Sequence, residues 1–124
     1  IAVSVNNPFS MIAFEAAYRG GADWLSELMA YLQATRDEAI AFIRAHIPKI
    51  NTVCPEGTYL LWLDCRKLNL DDKALALFFV QEAKLGLSSG AVFGRGGKGF
   101  MRMNIGTPRV NVMKALDRLK SALS

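Results

Sequence analysis

The sequence predicts an α+β domain: a small, mainly antiparallel sheet with helices packed mostly on one face, including one long helix. Three observations predict it. Apolar residues recur at three- and four-residue steps from Leu25 to Ile47, the period of one face of a long helix. Residues 58–64 and 100–105 are short apolar runs without a breaker, as strands are. Helical patterns stand before, between and after those runs. At 124 residues the chain has the length of one domain. No repeat, low-complexity tract or linker divides it, so residues 1–124 read as a single unit.

Residues 8–19 form the first helix, stopped by Gly20 and Gly21. Asp23 is placed to cap the second, its carboxylate accepting from a free N–H of the first turn. That helix runs from 23 to 46 and buries Leu25, Leu28, Met29, Leu32, Ala39, Ile40 and Ile43; Pro48 ends it. After the turn residue Gly57, the run 58–64 is apolar on both alternating faces, which predicts a central strand buried on two sides. A third helix starts at Leu70, Asp71 and Asp72 and continues to Lys84, burying Leu75, Phe78, Phe79 and Ala83. Residues 87–93 are extended and broken by Gly90. A glycine-rich loop over 94–99 leads into a strand over 100–105. Thr107 caps a final helix with Pro108 at its first position, where a missing N–H costs nothing. Val112, Leu116, Leu119 and Leu123 mark its core stripe. The Met and Phe residues, with Trp24, Tyr59 and Trp62, read as core.

Composition removes several classes. The apolar fraction of 52% is enough for a core and too high for disorder. Two cysteines, Cys54 and Cys65, do not make a disulfide scaffold, and inert reduced thiols fit a cytoplasmic protein. One histidine excludes a His-rich metal site. No apolar run is long enough to span a membrane, and no signal peptide opens the chain. The formal charge is +4. Arg95, Lys98, Arg102, Arg109, Lys114, Arg118 and Lys120 crowd the last thirty residues against a single acid, Asp117. That crowding is a solvated basic face or an anion site. The chain starts at Ile1 rather than Met, as a processed or excised piece does.

The segment 94–99, Gly-Arg-Gly-Gly-Lys-Gly, matches the dinucleotide pattern in letters only. That fingerprint needs a strand before it and a helix after it, and here a strand follows. A phosphate loop also fails, because Lys98 precedes Gly99 rather than Ser or Thr. The segment is then a flexible turn or a mobile loop at the rim of a site. The strand after it carries more. Alternation sends Met101, Met103 and Ile105 one way and Phe100, Arg102 and Asn104 the other. Arg102 and Asn104 thus stand about 7 Å apart on one surface. A guanidinium offers a planar fork that fits a carboxylate; the plainer reading is a solvated sheet face. Arg109, in the first turn of the last helix, opposes the helix dipole and pairs with an acid, holds an anion or is simply exposed. His46 suits the end of the long helix, where it can bond the last carbonyls.

Several of these pieces occur together. They are Asn7-Pro-Phe9, Ala17 to Leu25 (AYRGGADWL), Glu56 to Asp64 (EGTYLLWLD), Gly90 to Gly94 (GAVFG), Gly99 to Asn104 (GFMRMN) and Pro108-Arg109. In that order they resemble the C-terminal small domain of fold type I pyridoxal-phosphate enzymes, the class I/II aminotransferase superfamily. Within it the chain is most similar to the cystathionine β-lyase, or C–S lyase, branch of MalY/PatB type. The resemblance covers roughly 7–123. It implies that Arg102 binds the α-carboxylate of an amino-acid substrate, with Asn104 in weaker support. Gly90, Phe93 and Gly94 are implied at the pocket rim. It also implies pyridoxal 5'-phosphate, held by a large domain upstream together with its reactive lysine, so that residues 1–124 include no catalytic or cofactor-binding residue and are inactive alone. Residues 1–9 become the connector from that domain, and the parent a homodimer. The implied reaction is β-elimination from a sulfur amino acid to pyruvate, ammonia and a thiol; transamination is the alternative within the superfamily. A basic module binding nucleic acid is the competing class, and neither nucleic acid nor membrane is the expected partner.

Overall fold

The computed structural model describes residues 7–124. The chain divides into two compact units, Ile1–Tyr31 and Leu32–Ser124, a boundary that falls inside the long helix and that no composition shift announces. The expected connector over 1–9 lies, for residues 1–6, outside the described residues.

In the first unit, helix α1 spans Pro8–Gly20. Asn7 caps it, its side-chain oxygen accepting from the Ser10 N–H at 3.1 Å. Pro8 takes the first turn, where no N–H is needed. Helix α2 spans Ala22–His46. Asp23 is not its cap, as expected, but lies within its first turn, where a carboxylate still favours the helix dipole. The expected apolar stripe is buried only in its second half. Ala39, Ile40 and Ile43 are buried, while Leu25 and Met29 are more than half exposed. Three aromatics of the first unit also depart from expectation: Phe9, Phe14 and Trp24 are exposed, as is Tyr18, and no residue of α1 is buried.

The second unit holds a four-stranded antiparallel sheet, order β1-β2-β4-β3. Strand β1 is Asn51–Thr52, β2 is Leu60–Asp64, β3 is Ser88–Ser89 and β4 is Phe100–Asn104. Strand β1 is too short and polar to leave a sequence signal. Strand β2 is central, as expected, and starts at Leu60 because Thr58 has φ 65°, a conformation a β-branched residue cannot carry in a strand. It is not buried on two sides. Leu61 and Leu63 are buried, and Leu60, Trp62 and Asp64 are half-buried. Strand β4 alternates as predicted, with Met101 and Met103 buried and Phe100, Arg102 and Asn104 on the open side.

One face of this sheet therefore carries the core. Ile43 and Ile47 from the α2 end, Leu75 and Phe79 of α3 (Asp72–Gln81), and Val112, Leu116 and Leu119 of α4 (Arg109–Ala122) join Leu61, Leu63, Met101 and Met103 in one buried cluster. Asp71 caps α3, accepting from the Ala74 N–H at 2.7 Å. The helix stops three residues before the expected Lys84, because Lys84 turns left-handed at φ 56° and the Leu85 N–H returns to the Phe79 carbonyl. Helix α4 starts one residue later than expected, with Pro108 rather than Thr107 as its cap residue. The extended stretch expected over 87–93 is extended only at β3; Gly90–Phe93 is a 3-10 turn. Among the described residues no helix is long and apolar enough to cross a membrane.

Candidate functional site

The open face of the sheet is built from the alternate residues of β2 and β4. Antiparallel register sets Trp62 opposite Arg102, Leu60 opposite Asn104 and Asp64 opposite Phe100, and Ser88 of β3 flanks Arg102 on its other side. Cross-strand neighbours of this kind touch, and here they form a chain of contacts. The Arg102 guanidinium carbon lies 4.4 Å over the Phe93 ring centroid. The Phe93 ring meets Trp62 edge-on at 5.8 Å. Trp62 stacks on Phe100 at 5.6 Å and 18°. Arg66 then lies 4.9 Å over Phe100, and Asp64 clamps Arg66 through two oxygens at 2.9 and 2.7 Å.

The two arginines at the ends of this ladder differ in charge balance. Arg66 is neutralised by Asp64, whose carboxyl is held below the ordinary 3.8, chiefly by the Arg66 hydrogen bond. Arg102 has no carboxylate partner among the described residues. Its polar contact is a 3.4 Å hydrogen bond from Nη2 to Ser88 Oγ, at the edge of bonding distance. A half-buried guanidinium with its fork unspent is a ready receptor for an external carboxylate.

The other sequence candidates sort as follows. Asn104 shares the face with Arg102 but is exposed, and its Oδ1 is engaged by the Gly106 N–H at 2.7 Å, so the side chain holds the turn after β4. Phe93 touches Arg102; Gly90 and Gly94 position the turn that presents it. Gly90 is buried against Gly97, and a Cβ on Gly97 would collide with the Gly90 carbonyl. The glycine-rich segment thus holds a second 3-10 turn, Arg95–Gly97, packed against the Gly90–Phe93 turn, rather than an open flexible turn. The second turn leads to Gly99, whose N–H donates to Asp72 Oδ1 at 2.9 Å. Arg109 found its acid: it bridges to Glu38 at 3.4 Å and donates to the buried Thr35 hydroxyl at 3.1 Å, tying α4 to α2. His46 is exposed and packs its ring on Phe42 at 4.7 Å rather than on the last carbonyls.

Sequence reasoning missed Trp62, Phe100 and Ser88 as parts of the site. Trp62 and Tyr59 were expected in the core; Tyr59 is about half exposed and Trp62 half-buried beside a cation. The signal was present in the alternation of β4. A strand whose partner carries Arg102 outward must carry Trp62 outward too, once register is known.

No family model matches the chain. The chain is 39% identical over 118 residues to cystathionine β-lyase PatB of Bacillus subtilis, covering 95% of the chain and 30% of PatB. It is 37% identical to the protein MalY of Escherichia coli K12, covering 92% of the chain and 29% of MalY. The chain belongs to the cystathionine β-lyase, or C–S lyase, branch of the pyridoxal-phosphate enzymes, as a piece of their C-terminal part. A solved pyridoxal-phosphate-bound C–S lyase from Staphylococcus hominis superposes with a TM-score of 0.88 at 30% identity, over 98% of this chain and 33% of the lyase. The chain therefore spans about a third of the length of the relatives it matches.

The residues of the open face do not fit the cofactor itself. Strands β2 and β4 carry no lysine, and their one acid, Asp64, is closed by Arg66. A reactive aldehyde needs an amine to hold it, and a pyridine nitrogen needs a free acid. The face fits an organic acid.

Proposed function

We propose that this chain is the substrate-carboxylate-binding small domain of a pyridoxal-phosphate-dependent C–S β-lyase. Residues 1–124 form one C-terminal domain, and the parent acts on sulfur amino acids of the cystathionine type, giving pyruvate, ammonia and a thiol. The observation that carries this reading is Arg102, a cation on an open sheet face with no carboxylate partner among the described residues. Its role is to bind and orient. Two parallel N–H donors on the α-carboxylate fix the amino acid's backbone end, so that its reacting carbon is held in one position. The cofactor, held by a part of the polypeptide outside this chain, would supply the electron-withdrawing aldehyde. A carboxylate fork without that group binds and does not turn over, so this piece alone is inactive.

The apolar surface of α1 supports a missing neighbour. Phe9, Met11, Ile12, Phe14 and Tyr18 are spread around the helix, leaving as polar side chains Ser10 and the Glu15–Arg19 pair, joined at 2.7 Å. A helix apolar almost all round is covered on more than one side in its native setting. The large domain and a second subunit of a homodimer together supply two such sides.

The test uses the parent, made by joining the upstream sequence to residues 1–124. With L-cystathionine it is expected to release pyruvate and thiol in equal amounts. Arg102→Ala raises KM for L-cystathionine about 10- to 100-fold, the worth of a charge-assisted hydrogen-bonded pair, and leaves the cofactor's visible absorption in place. Arg102→Lys recovers only part, since an ammonium cannot make the fork. An unchanged KM in Arg102→Ala overturns the reading.

A further inference from the structure

We infer that Phe93 is a positioning residue for substrate binding: its ring is the platform that holds the Arg102 guanidinium flat, with its fork open, before the carboxylate arrives. This rests on the carboxylate role proposed for Arg102. The geometry comes from three elements. The Gly90–Phe93 turn delivers the ring, β4 delivers the guanidinium, and β2 delivers Trp62 as the backing that meets the ring edge-on.

A guanidinium on an exposed strand has several rotamers, and ordering it on binding costs affinity. An intramolecular carboxylate would order it but would also occupy the fork, as Asp64 does for Arg66. A π-face orders it differently. The guanidinium carbon rests over the ring, 4.4 Å from the centroid, and a ring face, unlike a carboxylate, places no anionic oxygen in the fork. Ser88 Oγ, 3.4 Å from Nη2, touches only one of the fork's nitrogens.

The ring is itself held. Gly90 and Gly97 pack backbone to backbone, and a Cβ on Gly90 would fall 2.7 Å from the Phe100 carbonyl oxygen. The turn carrying Phe93 is thereby pinned to the start of β4, the strand that carries Arg102. Phe93 is 52% exposed, so little of the core depends on it and its replacement is tolerated by the fold.

The experiment is steady-state kinetics of the full parent enzyme with L-cystathionine, on Phe93→Leu, Phe93→Tyr and Arg102→Ala. Phe93→Leu is expected to raise KM about two- to fivefold, the factor one exposed cation–π contact carries, with kcat within about twofold. Phe93→Tyr, which keeps the π-face, restores the original KM. A second readout is direct. In the NMR spectrum the Arg102 side-chain N–H signals, shifted by the Phe93 ring current, return toward ordinary arginine positions in Phe93→Leu and not in Phe93→Tyr. An unmoved KM in Phe93→Leu alongside a raised KM in Arg102→Ala overturns the platform and leaves the carboxylate role standing. An unmoved KM in Arg102→Ala overturns both. A KM raised equally by Leu and Tyr overturns the platform, because keeping the π-face then fails to keep the KM.

Discussion

At the scale of single residues, the two cysteines show how position decides chemistry. Cys65, which follows β2, is buried, and burial together with the neighbouring Asp64 charge pushes its thiol up to about 12 from the ordinary 9.0. Cys54 is exposed. Since the thiolate is the reacting species, iodoacetamide at pH 8 is expected to modify Cys54 in the native chain and to reach Cys65 only after denaturation. Mass spectrometry of the two cysteine peptides reads this directly. The same shift links to stability. Above about pH 9 the unfolded thiol ionises while the folded one stays protonated, so the unfolded state gains and stability falls as pH rises from about 9 to 12. Urea denaturation across that window should show a slope that Cys65→Ala lacks.

Among elements, the turns between β3 and β4 matter most. Two 3-10 turns fit against each other only because Gly90 and Gly97 have no side chains. Gly97→Ala is expected to destabilise the fold by roughly 1–3 kcal/mol, as overpacking does. Gly96→Ala, whose Cβ meets nothing within 4 Å, should stay within about 0.5 kcal/mol. Thermal unfolding followed by circular dichroism separates the two. Helix ends were legible where a cap makes a local bond, as at Asn7 and Asp71. They were misplaced where the end is set by a left-handed residue with a full side chain, as at Lys84. Nothing in the identity of a lysine announces a positive φ; the packing of Ala83 and Leu85 on either side of it does.

On the scale of the whole molecule, the second unit has a closed core on one sheet face and an open face bearing Arg102, and the first unit has an α1 with no buried residue. Under the proposed function both are surfaces that a missing neighbour covers, in keeping with a chain spanning about a third of its relatives. If the large domain covers α1, backbone amides of residues 8–20 should exchange with deuterium much more slowly in the joined parent than in the 124-residue chain. Equal exchange in the two would remove the cover assigned to α1.

What the sequence determined by itself is what local chemistry and alternation control. Helical period placed α1, α2, α3 and α4 to within a few residues. Period-two alternation put Met101 and Met103 inward and Arg102 outward. The order of short motifs, from Asn7 to Arg109, identified the family that the relatives bear out. Tertiary structure alone decided which apolar residues are core. The stripe of α2 and the two faces of β2 look equally apolar along the chain, but burial depends on what stands opposite. Helices cover Leu61 and Leu63, whereas Trp62 is only half-buried, against Phe93 and Phe100, and Leu25 is about half exposed. It also decided the ladder from Arg66 to Arg102. Those contacts join residues from four separate segments, and only strand register, a long-range property, brings them within reach.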